Sequence, residues 1–149
     1  MGTILSLIDK LALQILPLVK EGKINQIVAL ARGGSIIGDA LSRKFNLPLA
    51  VMFTSSYSGT QRQGLIICED IAKQYNTLGN RMLVVDDLLD SGVTLSAVQK
   101  YLQETYQSEV LTAVLWKKDC SPVDANFHVQ IMPADAWIVQ PFEMVDKLI

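Results

Sequence analysis

The sequence predicts an α/β protein: a mostly parallel, twisted sheet flanked by helices. Three observations carry this. Apolar runs of strand length alternate along the chain with amphipathic segments of helical period. Two of the strand–turn–helix passages carry small polar turns rich in glycine and serine, the kind that open at the carboxyl ends of parallel strands. And 50% of the residues are hydrophobic, enough to cover a sheet on both faces.

Taken in order, residues 3–16 read as a helix, because Ile4, Leu5, Ile8, Leu11, Ile15 and Leu16 share one face while Asp9, Lys10 and Gln14 lie off it. Pro17 should end or kink that helix, and Gly22 should close the segment. Residues 24–30 are expected as a buried strand, 31–35 as a turn, and 35 to about 45 as a second helix. Residues 49–54 are a strand, 55–64 a polar stretch without the bulk to pack, and 65–68 a short strand. A polar connection leads to residue 80. The central strand is expected at 81–86, a helix at 92–105 and another buried strand at 110–116. Short strands are expected at 127–132 and 137–139.

The chain of 149 residues has the usual size of one domain, and with no repeat, linker or low-complexity tract a single domain over 1–149 is expected. A net charge of −2 gives no electrostatic footprint for nucleic acid or an acidic membrane. Cys68 and Cys120 are too few for a disulfide framework, and one histidine, His128, argues against a structural zinc site. Lys10 interrupts the first apolar run, so no signal peptide is read, and no apolar stretch approaches the ~20 residues that span a bilayer. Met1-Gly2-Thr3-Ile4-Leu5-Ser6 fits a loose acylation pattern, but Gly2 leads straight into a helix and is read as its approach. A reducing, cytoplasmic setting is expected.

The most informative stretch runs from Val84 to Leu95. An apolar strand delivers two adjacent carboxylates, Asp86 and Asp87, at its expected end. The loop Asp90-Ser91-Gly92-Val93-Thr94 follows, and then an amphipathic helix with Leu95, Val98 and Leu102 in phase. A loop at a helix N-terminus offers free N–H groups and a favourable dipole to a phosphate. Ser91 and Thr94 add hydroxyl donors, and Gly92 allows close approach. Carboxylates beside such a cradle must face something other than phosphate: sugar hydroxyls, Mg²⁺ or a proton to be removed. A second turn, Ala31-Arg32-Gly33-Gly34-Ser35, sets one cation among glycines at the end of the preceding central strand. Arg32 there can grip a diphosphate bidentately.

The segment from Met82 to Thr94 resembles the phosphoribosyl-diphosphate (PRPP) motif of the type I phosphoribosyltransferases. Four apolar residues, two acids, two apolar residues, an acid and Ser-Gly-x-Thr all occur in order, with Val93 where the family often has glycine. The resemblance implies the type I phosphoribosyltransferase fold with a small C-terminal hood. It implies that Asp86 and Asp87 hold the ribose hydroxyls, directly or through Mg²⁺ with Asp87 as the metal contact. Ser91, Gly92, Val93 and Thr94 would cradle the 5′-phosphate. Arg32 and Gly33 would bind diphosphate, the Ala31–Arg32 peptide being one that is often cis in the family. Asp90 would be the general base. The stretch 55–64 resembles the family's mobile lid, with Ser56 and Tyr57 in it and Arg62 reaching the departing diphosphate.

Leu115-Trp116-Lys117-Lys118 and Asp135-Ala136-Trp137-Ile138-Val139-Gln140-Pro141-Phe142-Glu143 resemble the base pocket of bacterial xanthine–guanine phosphoribosyltransferases. By that resemblance Lys117 donates to a purine 6-oxygen, Trp137 stacks on the base, and the backbone of Ile138 reads the 2-position. The chain departs from that pattern in its shorter lid, in Lys118 where proline is common, in Val139 for an acidic or polar residue, and in its short stretch after Glu143. These departures bear on the choice among guanine, xanthine and hypoxanthine. The implied activity is transfer of 5-phosphoribose from PRPP to a 6-oxopurine, with Mg²⁺ as cofactor, no nucleic-acid or membrane partner, and a homodimer or homotetramer as assembly. Two rivals stand beside it: transfer to another base such as uracil, adenine or a nicotinamide-like ring, and a non-catalytic sensor of PRPP or nucleotide on the same fold. A lysine donor and Trp137 disfavour adenine, whose 6-amino group needs an acceptor.

Overall fold

Strands with apolar residues on both faces take the middle of a sheet, and the two most apolar runs do so here. The structure, a computed structural model, describes residues 3–57, 65–68, 71–75, 77–135 and 148–149. Strand β1 (Gln26–Leu30) is buried at every residue and lies parallel to β6 (Arg81–Leu89), in register from Gln26↔Met82 to Ala29↔Val85. Beyond β1 lie β2 (Leu49–Met52), parallel to it, and the short antiparallel edge strand β5 (Ala72–Lys73). Beyond β6 lie β7 (Glu109–Lys118) and β8 (Gln130–Met132), both parallel, so the order is β5-β2-β1-β6-β7-β8. A separate antiparallel pair, β3 (Thr54–Tyr57) and β4 (Leu65–Cys68), forms a hairpin arm.

Helices cover both faces. Helices α1 (Ile4–Lys20) and α2 (Ser35–Phe45) bury Leu7, Leu11, Ile37 and Leu41 against Ile27, Leu83, Val85 and Leu115. Helix α3 (Val93–Tyr106) buries Leu95, Val98 and Leu102 against Val28, Leu30, Val84 and Val114 on the other face. From Met82 to Val85 and from Ala113 to Leu115 alternate residues thus belong to opposite cores, as the two-residue pleat requires, whereas Trp116 joins Leu115 on the α1–α2 side.

Several boundaries differ from the sequence expectation. Helix α1 continues through Pro17 to Lys20. Pro17 is exposed, and so is Leu13 at 70%, whose carbonyl it cannot serve, so the lost bond falls on the solvent side of the helix. Gly22 closes the segment as expected: at φ +73°, just past the Glu21 cap, this glycine lets Lys23 N–H reach the Leu18 carbonyl (2.8 Å) and its own N–H reach that of Val19 (3.0 Å). Strand β2 stops at Met52 because β1 ends there too, Ala31 N–H closing on the Met52 carbonyl at 2.8 Å. The chain then enters the hairpin arm, so Ser56 and Tyr57 lie on a strand rather than in a loop. Strand β6 runs to Leu89, past the expected end at residue 86, because β7 supplies partners as far as Leu89↔Lys117. At 127–132 only Gln130–Met132 is a strand, preceded by a single bridge, Ala113↔Phe127. The strand expected at 137–139 lies outside the described residues.

Gly34 is the tightest point between the 31–34 turn and β6. A Cβ there would overlap the carbonyl oxygens of Val85 and Leu30. Gly34→Ala should therefore cost about 1–3 kcal/mol, the range for overpacking a filled site. Urea denaturation followed by circular dichroism reads this directly; an unchanged midpoint would mean that the turn is not seated on β6.

Candidate active site

The sheet changes winding direction between β1 and β6: α2 carries the chain outward from β1 to β2, and α3 carries it outward the other way from β6 to β7. A crevice opens at the carboxyl ends of strands at such a point. Here the opening is explicit in the pairing. β1 leaves β6 after Ala29↔Val85, while β6 and β7 stay paired for four more residues of β6. Asp86 and Asp87 are the first two residues of β6 past that pairing and have no partner on the β1 side.

The two acids reach different neighbours, although their carboxyl groups also stand within hydrogen-bonding reach of each other. The Asp87 carboxylate lies against Gly33 of the Arg32 turn, where a Cβ would sit 2.5 Å from Oδ1. Asp86 instead lines a cavity of about 130 Å³ with Asp90, Ser91, Gly92 and Thr94. It also accepts the Asp87 N–H at 2.8 Å. Burial, and then the charge of Asp87 beside it, push the Asp86 carboxyl well above its ordinary range.

Three residues join β6 to α3. Gly92 caps the helix at φ +82°, and the first helical bond runs from Ser96 N–H to the Gly92 carbonyl (2.9 Å). Ser91 Oγ accepts the Val93 N–H at 3.3 Å. Val93 is the first helical residue and takes no positive φ, so the valine fits a place where glycine is common in the resembling family. The opening N–H groups of α3 are oriented along the helix axis toward the loop end, where an anion would complete them.

The basic residues divide. Arg32 is exposed on its turn, and its peptide bond with Ala31 is cis. Lys118 Nζ stands 3.5 Å from Asp90 Oδ1, with its own side chain only 13% exposed. Lys117 Nζ turns the other way and meets Asp124 Oδ1 at 3.0 Å. That contact holds the Asp124 carboxyl below its ordinary range. Arg62, Trp137 and Ile138 lie outside the described residues, and Ser56 and Tyr57 are described only as backbone of β3. Among the described residues no three His, Cys, Asp or Glu side chains form a metal-binding group, and no helix is long and apolar enough to cross a membrane.

Sequence reasoning placed the base contact on Lys117, with Lys118 next in line, and gave no role to Asp124. The alternation of β7 was the available signal for Lys118, which lies one residue past the Leu89↔Lys117 pair and so opposite Asp90. Asp124 had no such signal, because it reaches Lys117 through a loop rather than a strand register.

Residues 2–147 match the phosphoribosyl transferase domain family, and the chain belongs to it and is a transferase. Among solved structures it is similar to a purine phosphoribosyltransferase from Pyrococcus horikoshii, with 26% identity, 95% of this chain and 93% of that one covered, and a TM-score of 0.74. It is also similar to a xanthine–guanine–hypoxanthine phosphoribosyltransferase from Helicobacter pylori, with 27% identity, 94% and 88% coverage, and a TM-score of 0.80. A hypoxanthine phosphoribosyltransferase from Staphylococcus aureus shares the fold at 21% identity, 86% and 74% coverage, and a TM-score of 0.67. The type I phosphoribosyltransferase fold expected from the sequence is the one present.

Asp86 makes a pH prediction. Its native carboxyl binds a proton more readily than the unfolded one, so its ionisation opposes folding. That penalty is absent below the ordinary carboxylate range near 3.8 and grows as pH rises toward the raised native value. Asp86→Asn keeps an acceptor for the Asp87 N–H and removes the charge. It should raise stability at neutral pH, with the gain shrinking toward zero as pH falls below the ordinary value. Thermal unfolding across pH checks the sign; a variant less stable at pH 7 would contradict it.

Proposed function

We propose that the chain is a salvage enzyme that transfers 5-phosphoribose from PRPP to a 6-oxopurine, giving the nucleoside 5′-monophosphate and diphosphate. The observation that carries this reading is that the two adjacent acids face two different anion cradles. Asp86 shares a cavity with the Ser91–Thr94 loop, and Asp87 abuts the Arg32–Gly33 turn. A ligand spanning both would carry phosphate at each end and hydroxyls between, which is the outline of PRPP. The similarity over nine-tenths of the chain to purine phosphoribosyltransferases supports the acceptor class.

In this reading Ser91, Gly92, Val93 and Thr94 hold the 5′-phosphate, while Asp86 and Asp87 accept hydrogen bonds from the ribose hydroxyls. Arg32, with Arg62 from the lid stretch, neutralises charge on the departing diphosphate. Two neighbouring carboxylates, with no third His, Cys, Asp or Glu grouped with them among the described residues, fit Mg²⁺, which takes few protein oxygens and fills its octahedron from substrate phosphates and water. Asp87 would hold the ion, which when bound would offset charge on the diphosphate. Asp90, exposed at the mouth of the cavity, takes the N7 proton as the glycosidic bond forms. Trp137 and the Ile138 backbone are proposed to complete the base pocket, in one domain over 1–149 that works in the cytoplasm as a homo-oligomer.

The cation for the 6-oxygen moves in this reading from Lys117 to Lys118. A base whose N7 meets Asp90 lies beside Lys118, while Lys117 is engaged by Asp124. An ammonium complements a keto oxygen and has nothing to offer an amino group.

The deciding assay offers Mg-PRPP with guanine, xanthine, hypoxanthine, adenine and uracil, and measures nucleotide formed. Turnover with a 6-oxopurine and not with adenine or uracil is expected. PRPP binding without turnover on any base would favour the sensor instead. Asp90→Asn keeps the shape but cannot take a proton, so it should lower kcat by ~10²–10⁴ while calorimetry finds PRPP affinity little changed. Lys118→Ala should erase the preference for keto over amino purines, whereas Lys117→Ala should leave that ratio in place. The opposite pattern would return the assignment to Lys117.

A further inference from the structure

The connection from β7 to β8 is tied at both ends. After Lys118 it turns tightly, with Ser121 N–H on the Lys118 carbonyl (3.2 Å) and Ser121 Oγ on that of Val123 (2.7 Å). Four residues after Ser121, Ala125 is buried in the α3-side core, and Asn126 Oδ1 accepts the Thr112 N–H at 2.9 Å. Between the ties, Pro122, Val123 and Asp124 are exposed.

That short span reaches the phosphate loop. A Cβ on Gly92 would come within 2.6 Å of Val123 Cβ, so the valine lies directly on the glycine. The effect is visible in the loop itself: Gly92 is buried although Ser91 and Val93 on either side are exposed. Val123 keeps 37% of its surface in water, an apolar side chain serving as a cover rather than as core. Its neighbour Asp124 holds Lys117 at 3.0 Å, and the lysine is only 17% exposed and belongs to a strand paired with β6. His128 Nδ1 stands 3.9 Å from the same carboxylate oxygen.

We infer that Asp124 is a positioning residue for the phosphate loop: through Lys117 it anchors the 122–124 span so that Val123 seats Gly92, the left-handed cap of α3. A pair with so exposed a carboxylate adds little to overall stability. Its consequence is geometric. Without the anchor the span can lift, Gly92 loses its cover, and the N–H groups that would meet a phosphate are no longer held ready. The inference rests on the phosphoribosyl reading for its ligand, but not for the state of the loop without ligand.

The test uses Asp124→Asn, Asp124→Glu, Val123→Ala and the double variant Asp124→Asn/Val123→Ala in the full chain. In the absence of ligand, amide exchange at residues 91–94 should speed up in Asp124→Asn and Val123→Ala, and return toward the parent rate in Asp124→Glu. With PRPP, the dissociation constant by calorimetry should rise about three- to tenfold in Asp124→Asn, with kcat changed less than KM. If Asp124 acts through Val123, the double variant should lose no more than the worse single one. Unchanged exchange at 91–94 with unchanged affinity would overturn the inference, as would full additivity. Failure of the parent protein to bind PRPP would overturn the ligand assignment alone, since exchange in the free protein still reports on the anchor.

Discussion

The site depends on one mismatch in strand length. β1 and β6 pair only as far as Val85, whereas β6 and β7 pair as far as Leu89. Had β1 continued, its backbone and the helix after it would have covered the acids on one side. Because it turns away at Ala31, the last four residues of β6 are supported on one edge and free on the other. The turn that takes β1 away needs Gly33 and Gly34, since side chains there would collide with the Asp87 carboxylate and the Val85 carbonyl. The same glycines that end β1 therefore let the chain come close enough to Asp87 for a shared ligand.

Charge explains why such an arrangement calls for partners. Two adjacent carboxylates, one of them in a small cavity, repel each other and lose hydration, and Asp86 records both effects in its raised proton affinity. The neighbouring amide N–H favours the charged form of Asp86, while the hydrogen bond its carboxyl shares with that of Asp87 favours the protonated one. A site of this kind is improved by ligands that bring hydroxyl donors or a divalent ion, and by cations at its margins. Arg32 and Lys118 occupy those margins on opposite sides of β6. The bare protein is thus less favourable at this spot than the loaded one, a common feature of binding sites whose groups are arranged before the ligand arrives.

Local patterns were legible wherever the decisive forces were local. The span 35–45 of α2 and the strand 65–68 match the sequence reading, because the helical period of one and the apolar run of the other speak for themselves. The order of motifs around the crevice was also legible, since strand, acid pair, Ser-Gly-x-Thr and helix form one continuous segment. Strand ends were not. How far β6 runs is decided by β7, and how far β2 runs is decided by β1, and neither partner's length is written in the strand itself. The helix through Pro17 was hidden for a related reason. A proline ends a helix only where its lost bond has no substitute, and here that bond falls on the solvent side.

The two lysines at the end of β7 show the limit most sharply. As a sequence, Lys117-Lys118 is a pair of equivalent cations, and nothing in residue type separates them. Their partners separate them: Lys118 meets Asp90 and Lys117 meets Asp124. A one-residue slip in the β6–β7 register would exchange their roles, moving the anchor of the 122–124 span to the base side and the base-side cation to the anchor. Register is held by the buried pairs below, Val84↔Thr112 and Val85↔Ala113, which sit deep between the two helical layers. The chemistry at the mouth of the site is in this way set by apolar packing several residues beneath it. A substitution that changed volume at Ala113 would threaten the placement of both lysines without touching either.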